Sequence, residues 1–334
     1  MLNFIVTQKE KEFKILQLTD TQIIDATQAR YAGRLRAEEI ERWQPENMQT
    51  ELFDDMDKLV AENRPDLILV TGDIVYGEFD DKGTSLKAFI EKMESYQIPW
   101  APVWGNHDNE TVLGVDWQCK QLTAAKYCLF EKGNTVGCCN YIVGIKNAEG
   151  ELVRLVYMLD TNGCYNASEA SLKDGVRRAV GVVPQQLEWM RSSYAGICKE
   201  YEKEVPCFVA FHIEVLDHLE LMERKGYYNS KNFEKYDIGD GGQDFGDIHE
   251  TFNAGEEPIS VLPTFKELRV DGAFFGHSHV NNASVFEDGI RWTWGLKTGK
   301  YDYHETEKLG GTLITLSKDG KEFVVAHKQT SKTE

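Results

Sequence analysis

The sequence predicts an α/β fold with layered sheets, on three observations. Apolar strand segments and amphipathic helical segments alternate through the N-terminal half, separated by polar turns. Leu152–Asp160 is apolar almost without a break, as a strand covered on both faces must be. Short alternating strands then fill the C-terminal part. With 334 residues, 41% of them hydrophobic, the chain has room for a large core. No linker, internal repeat or low-complexity tract divides it, so a single domain over residues 1–334 is expected.

In order along the chain, Phe13–Leu18 reads as a strand that runs into Asp20. Between Glu46 and Asn63 the apolar residues Met48, Leu52, Met56, Leu59 and Val60 recur at helical spacing, until Arg64-Pro65-Asp66 ends the pattern. Leu67–Val70 is a short buried-type strand that delivers Thr71-Gly72-Asp73. The cycle repeats with a helix around Leu86 to Tyr96, the breaker Pro99, and a strand Trp100–Trp104 leading to Gly105-Asn106-His107-Asp108. Strands are expected at Tyr141–Ile145, Leu152–Asp160 and Cys207–His212, with a helix from Pro184 to about Glu202. Between Asp217 and Pro258 the pattern loosens into Gly-, Asp- and Tyr-rich sequence. That stretch is too long for an ordinary connection and predicts a functional insertion or lid. The closing strands are Ala273–Phe275, Ala283–Phe286, Ile290–Trp294, Thr312–Leu316 and Glu322–Ala326.

The charge balance narrows the function. With 37 Lys+Arg against 55 Asp+Glu, the formal charge is −18. The resulting field argues against nucleic acid or a membrane surface as partner. An anionic substrate would need a local source of positive charge, and no Lys/Arg run supplies one, which directs attention to a bound metal. The first ten residues lack the basic and long apolar segments of a secretory signal, and no apolar run approaches the ~20 residues of a membrane span. Cysteines 119, 128, 138, 139, 164, 198 and 207 are odd in number and show no CxxC spacing. They read as reduced thiols of a cytoplasmic protein.

Residues of metal-binding type repeatedly sit just beyond the carboxyl ends of the predicted strands: Asp20, Asp73, Asn106-His107, His212 and His277-Ser278-His279. In α/β sheets that edge is where ligands bind. Two carboxylates, one amide oxygen and three or four imidazoles on one rim suit a pair of transition-metal ions. Each piece alone is ordinary turn, cap or core chemistry. The ordered set is what points to a metal site.

The blocks Asp20, Gly72-Asp73, Gly105-Asn106-His107-Asp108, His212 and Gly276-His277-Ser278-His279 resemble, in order, those of the calcineurin-like metallophosphoesterases. Gly72-Asp73-Ile74-Val75-Tyr76 and Val209-Ala210-Phe211-His212 are also similar to the purple acid phosphatase patterns GDxxY and VxxH. The resemblance implies a four-layer αββα sandwich of two mixed β-sheets flanked by helices, with the active site on the strand-end rim. It implies two metal ions (Mn, Fe or Zn) bridged by Asp73. Asp20 and His279 would hold the first, and Asn106, His212 and His277 the second. His107 would not ligate; it would stabilise charge or protonate the leaving oxygen, with Asp108 as its orienting carboxylate. The activity implied is hydrolysis of a small phosphorylated substrate, a monoester ahead of a diester or nucleotide, by metal-activated hydroxide attacking phosphorus in line.

The first block departs from the family pattern of Asp-x-His, or Asp-x-Gly in purple acid phosphatases, because here it reads Asp20-Thr21-Gln22. Gln22 is either a weak amide-oxygen ligand, a hydrogen-bond donor to substrate or metal-bound water, or a solvated turn residue. Tyr76 stands at the purple acid phosphatase ligand position. A phenolate there would favour Fe(III) and colour, and its absence Mn(II), Zn(II) or Fe(II). Decay of the first position through Gln22 would instead leave a non-enzymatic phospho-ligand binder. Trp104, Tyr76, Trp292, Trp294, Tyr301 and Tyr303 lie near the blocks, as candidates either for stacking an aromatic substrate group or for the core. The insertion carries His218, His249, Tyr227 and Tyr228, while His304 and His327 read as surface residues.

Overall fold

The computed structural model describes residues 2–8, 12–163, 180–255 and 258–330; Met1, Lys9, Glu10 and Cys164 lie outside them. Two mixed sheets carry the architecture. The larger has seven strands in the order β1 (Phe4–Thr7), β5 (Tyr141–Lys146), β6 (Leu152–Met158), β7 (Cys207–Ala210), β10 (Val270–Phe275), β12 (Ile290–Trp294) and β11 (Ser284–Glu287). The smaller has five, in the order β14 (Phe323–Gln329), β13 (Gly310–Leu316), β2 (Phe13–Leu18), β3 (Leu67–Thr71) and β4 (Trp100–Val103).

The two-residue period of the strands explains the layering. Along β6, Val156 and Met158 join one apolar core, while Leu155 and Tyr157 join another. Along β7 the split is Phe208 and Ala210 against Cys207 and Val209, and along β10 it is Phe274 against Ala273 and Phe275. The first face packs on the smaller sheet through Ile15, Ile314 and Leu316. The second packs on helices Pro184–Tyr201 and Leu262–Glu267 through Leu187, Met190, Ile197 and Phe265. Helices contributing Met56 and Leu59 (Asp54–Asn63) and Leu86, Phe89 and Met93 (Thr84–Ser95) complete the core of the smaller sheet. Burial of every residue of β6 follows from its place between two covered faces.

Local chemistry sets the element ends. Arg64, at φ 47° before Pro65, closes helix Asp54–Asn63 in the left-handed region. Asp80 accepts the backbone N–H groups of Ser85 (2.8 Å) and Leu86 (3.1 Å) at the start of helix Thr84–Ser95. The helix expected from Glu46 begins instead as a π-helical turn over Gln49–Phe53.

Two expectations change. The segment from Asp217 to Pro258 is not loose throughout: it opens with helix Leu216–Arg224 and carries the hairpin β8 (Tyr236–Gly239) and β9 (Gly246–Ile248). Leu221, Met222, Tyr228, Ile248 and Phe252 from this segment lie in the second core. His327 is no solvated surface residue either, since its ring is held between Thr312 Oγ1 (2.9 Å) and the Asn282 carbonyl (2.7 Å). Strand β1 and helix Val115–Ala124 were not anticipated. Among the described residues no helix is long and apolar enough to cross a membrane, and the six described cysteines are unbridged.

Candidate metal centre

Parallel pairing aligns the carboxyl ends of β2, β3 and β4 in one sheet, and of β7 and β10 in the other. The loops that leave these ends carry Asp20, Asp73, Asn106-His107, His212 and His277-Ser278-His279, and they meet across the gap between the sheets. The loops come together closely enough to require glycine. A Cβ on Gly72, which sits at φ 90°, would lie 2.6 Å from His212 Nδ1. Asp20 (φ 50°), Asp73 (φ 50°) and His277 (φ 72°) are also left-handed, backbone strain of roughly 1–3 kcal/mol each that clusters at functional sites.

Two groups of donors result, and Asp73 belongs to both. Ligand atoms of Asp73, His212 and His277 lie within 4.8 Å of one another, as do those of Asp20, Asp73 and His279. Asn106 Oδ1 stands 3.1 Å from His212 Nε2 and so joins the first-mentioned group. The chemistry of these atoms fits metal ions. His212 Nδ1 faces the Thr71 carbonyl at 2.7 Å and His279 Nδ1 faces that of Tyr303 at 3.2 Å, which turns each Nε2 inward, 3.3 Å from Asp73 Oδ2 and 3.6 Å from Asp20 Oδ1 respectively. Asp20 Oδ2 is taken up by Thr19 Oγ1 and the His277 N–H. Its Oδ1 is buried without a hydrogen-bond partner, a cost that a cation would remove.

The electrostatics agree with this reading. Burial opposes ionisation of Asp73, but His212 and His107 outweigh it and hold the carboxyl well below its usual range. Burial likewise opposes the His212 imidazolium, yet Asp73 raises the group to about 10, so that a metal held at Nε2 would take the place of a proton. Burial, then His212, push His277 down to about 4, and burial with Lys297 pushes His279 well below its usual range. Both rings are thereby kept neutral with lone pairs available.

His107 lies beside both groups without joining either. Its backbone N–H donates to Asp73 Oδ1 at 2.8 Å, and its side chain is 14% exposed. The orienting carboxylate differs from expectation. Nδ1 of His107 faces Glu110 Oε1 at 3.1 Å across a short 3₁₀ turn. Asp108 instead accepts the backbone N–H groups of Gly105 (2.7 Å) and Val75 (3.0 Å), stitching the loops after β3 and β4, and burial raises it to about 7. Each Asp108 oxygen faces one of those peptide groups, whereas the imidazole faces Glu110. The i, i+3 spacing of His107 and Glu110 was the available signal. Replacing Glu110 by glutamine is expected to lower kcat by roughly 10- to 100-fold, the worth of one charge-assisted hydrogen bond, at unchanged metal content. Unchanged turnover would remove Glu110 from the site.

The two ambiguous residues are also placed. Gln22 Oε1 receives Lys297 Nζ at 2.6 Å, and its Nε2 faces Asp73 Oδ2 at 3.2 Å. The Tyr76 ring packs on the His107 ring at 4.0 Å between centroids, and its hydroxyl is 3.4 Å from Arg34 Nη2. Trp104, Trp292, Trp294 and Tyr301 are buried in the core, so of the stacking candidates only Tyr76 and the 52% exposed Tyr303 reach the rim. Two further residues were passed over in the sequence. Lys297 follows the end of β12 but is not of ligand type, and its ammonium is buried against the Asp20 carbonyl at 3.0 Å. Glu214 accepts from Ser278 Oγ and from Trp294 Nε1 (2.6 Å), tying the loop that carries His277 and His279 to the one that carries His212.

Close packing makes the centre sensitive to a single methyl group. A Cβ on Gly105 would lie 2.1 Å from Asp73 Oδ1. Gly105→Ala is therefore expected to lower metal content and to cost roughly 1–3 kcal/mol, read as a fall in Tm. A variant with the parental Tm and metal content would show that the loop has slack.

Comparison with known proteins gives a consistent picture. The family model described as Calcineurin-like phosphoesterase matches residues 13–281. Similar curated proteins include "Probable inactive purple acid phosphatase 28" of Arabidopsis thaliana, 27% identical over 74% of this chain and 61% of that protein. Another is "Phosphatase DCR2" of Saccharomyces cerevisiae, 26% identical over 84% of this chain and 46% of that protein. The chain thus spans about half the length of these relatives. Among solved structures, a dimetal phosphatase from Danio rerio shares the fold at a TM-score of 0.50 and 12% identity, over 94% of this chain and 98% of that one.

Proposed function

Since the chain belongs to the calcineurin-like phosphoesterase family, we propose that it is a dinuclear metal-dependent phosphohydrolase acting on a small phosphorylated substrate, a monoester ahead of a diester or nucleotide. The observation that carries this reading is the pair of donor groups sharing Asp73, with His107 beside them and hydrogen-bonded to the same carboxylate. Asp20, Asp73 and His279 would hold one ion, and Asp73, Asn106, His212 and His277 the other. Transition-metal ions there, Mn, Fe or Zn, would supply the charge to bind a phosphoryl group and to lower the pKa of a water. The protein's own part is to place a proton at the leaving oxygen. Glu110 holds His107 Nδ1, which leaves Nε2 as the transferring atom. Tyr76, packed against that ring at 4.0 Å between centroids and tilted by 31°, limits its rotation.

A cytoplasmic setting is part of the proposal, supported by the six cysteines among the described residues, which are unbridged. A second reading, a phospho-ligand binder without turnover, is favoured by one observation: the Gln22 oxygen is turned to Lys297. The word "inactive" in the name of one relative belongs to that protein, but it makes the same question worth asking.

Metal content of protein purified without chelator, together with hydrolysis of p-nitrophenyl phosphate and bis-p-nitrophenyl phosphate after addition of Mn(II), Zn(II) or Fe(II), decides between them. Near two metals per chain with faster monoester hydrolysis is the expected result. Faster diester hydrolysis would reverse the substrate preference, and metal binding without turnover on either would favour the binder.

A further inference from the structure

Lys297 is an amine buried at the wall of the centre, in contact with the residue that breaks the family pattern. Its Nζ carries only donors, so the 2.6 Å contact with Gln22 must be made to the amide oxygen. That contact fixes which way the amide faces: its NH2 group points at Asp73 Oδ2, 3.2 Å away, on the side where metal donors converge. An amide nitrogen offers no lone pair for coordination. The second contact of Nζ, to the Asp20 carbonyl, holds the ammonium behind the same loop. We propose that Lys297 locks Gln22 out of coordination and leaves the first metal position with three protein donors, Asp20, Asp73 and His279, making it the weaker and exchangeable half of an unequal pair.

Two physical effects act in the same direction. The position of Asp73, Asn106, His212 and His277 offers one donor more. The Lys297 charge, screened little in a buried setting, also repels a cation at the first position more than at the second, because it abuts Asp20. The inference rests on the dinuclear reading above and adds to it an order of filling and a cause.

The test is a chelator-competed titration of the full chain with Mn(II) or Zn(II) alone, which reads metal affinity without any assay of turnover. The parent protein is expected to fill in two steps whose Kd values differ by about tenfold or more, with the weaker step lost in His279→Ala. Gln22→Leu removes the amide and is expected to leave the weaker Kd within about threefold of the parent or to tighten it, since no ligand is lost. Lys297→Met removes the charge and frees the amide to rotate, and is expected to tighten the weaker step by about tenfold. If that variant fails to fold, Gln22→Leu and Gln22→Met decide alone. Weakening by about tenfold or more in the Gln22 variants would make Gln22 a ligand and overturn the inference while sparing the dinuclear reading. Two indistinguishable steps in the parent would overturn it as well. No metal binding by the parent would overturn both.

Discussion

Asp73→Ala is expected to empty both metal positions and to lower turnover on the order of 1,000-fold or more, with elemental analysis and monoester hydrolysis as the paired readout. The size of the effect follows from geometry. One Asp73 oxygen holds the His107 N–H at 2.8 Å, while the other lies 3.3 Å from His212 Nε2 and 3.2 Å from Gln22 Nε2. It is the only side chain common to the two groups of candidate ligands found among the described residues. Removing it takes a donor from each position and leaves the buried His212 without its counter-charge. Retention of two metals in this variant would mean that the groups do not share a bridging carboxylate.

His107→Ala is expected to lower kcat by roughly 10²–10⁴-fold, the usual worth of a general acid, with both metals retained. The separation of the two readouts is built into the structure. The link between this residue and Asp73 is made by its backbone N–H, which alanine keeps, whereas the imidazole faces Glu110 and Tyr76. Loss of metal in this variant would show that the imidazole supports the centre structurally. A substrate whose leaving group needs no protonation, such as p-nitrophenyl phosphate, should be affected less than an alkyl phosphate.

The strand-end rule located Asp20, Asp73, Asn106, His107, His212, His277 and His279 from local pattern alone, because a buried strand is recognisable by composition and its next polar residue must emerge at the rim. The orienting role that the family resemblance implied for Asp108 falls instead to Glu110, since Asp108 accepts from Gly105 of its own loop and from Val75 of the loop after β3. The strand-end rule passed over Lys297, which stands at a strand end but reaches Gln22, 275 residues earlier in the chain. Helix Leu216–Arg224 was missed because it has only nine residues and two of its buried positions, Asp217 and His218, are polar.

By itself the sequence determined the layered α/β class, all the strands of the two sheets but β1, and the residues of metal-binding type that emerge at their ends. Those features depend on periodicity, turn chemistry and residue type, which are local along the chain. Only the tertiary structure decided which carboxylate serves His107, which way Gln22 faces, and that Asp73 stands in both donor groups. Each of these depends on distances between loops from different strands, set by sheet pairing and by the closeness that Gly72 and Gly105 permit. A hydrogen bond is decided at the scale of a few tenths of an ångström, and sequence spacing carries no information at that scale across separate loops.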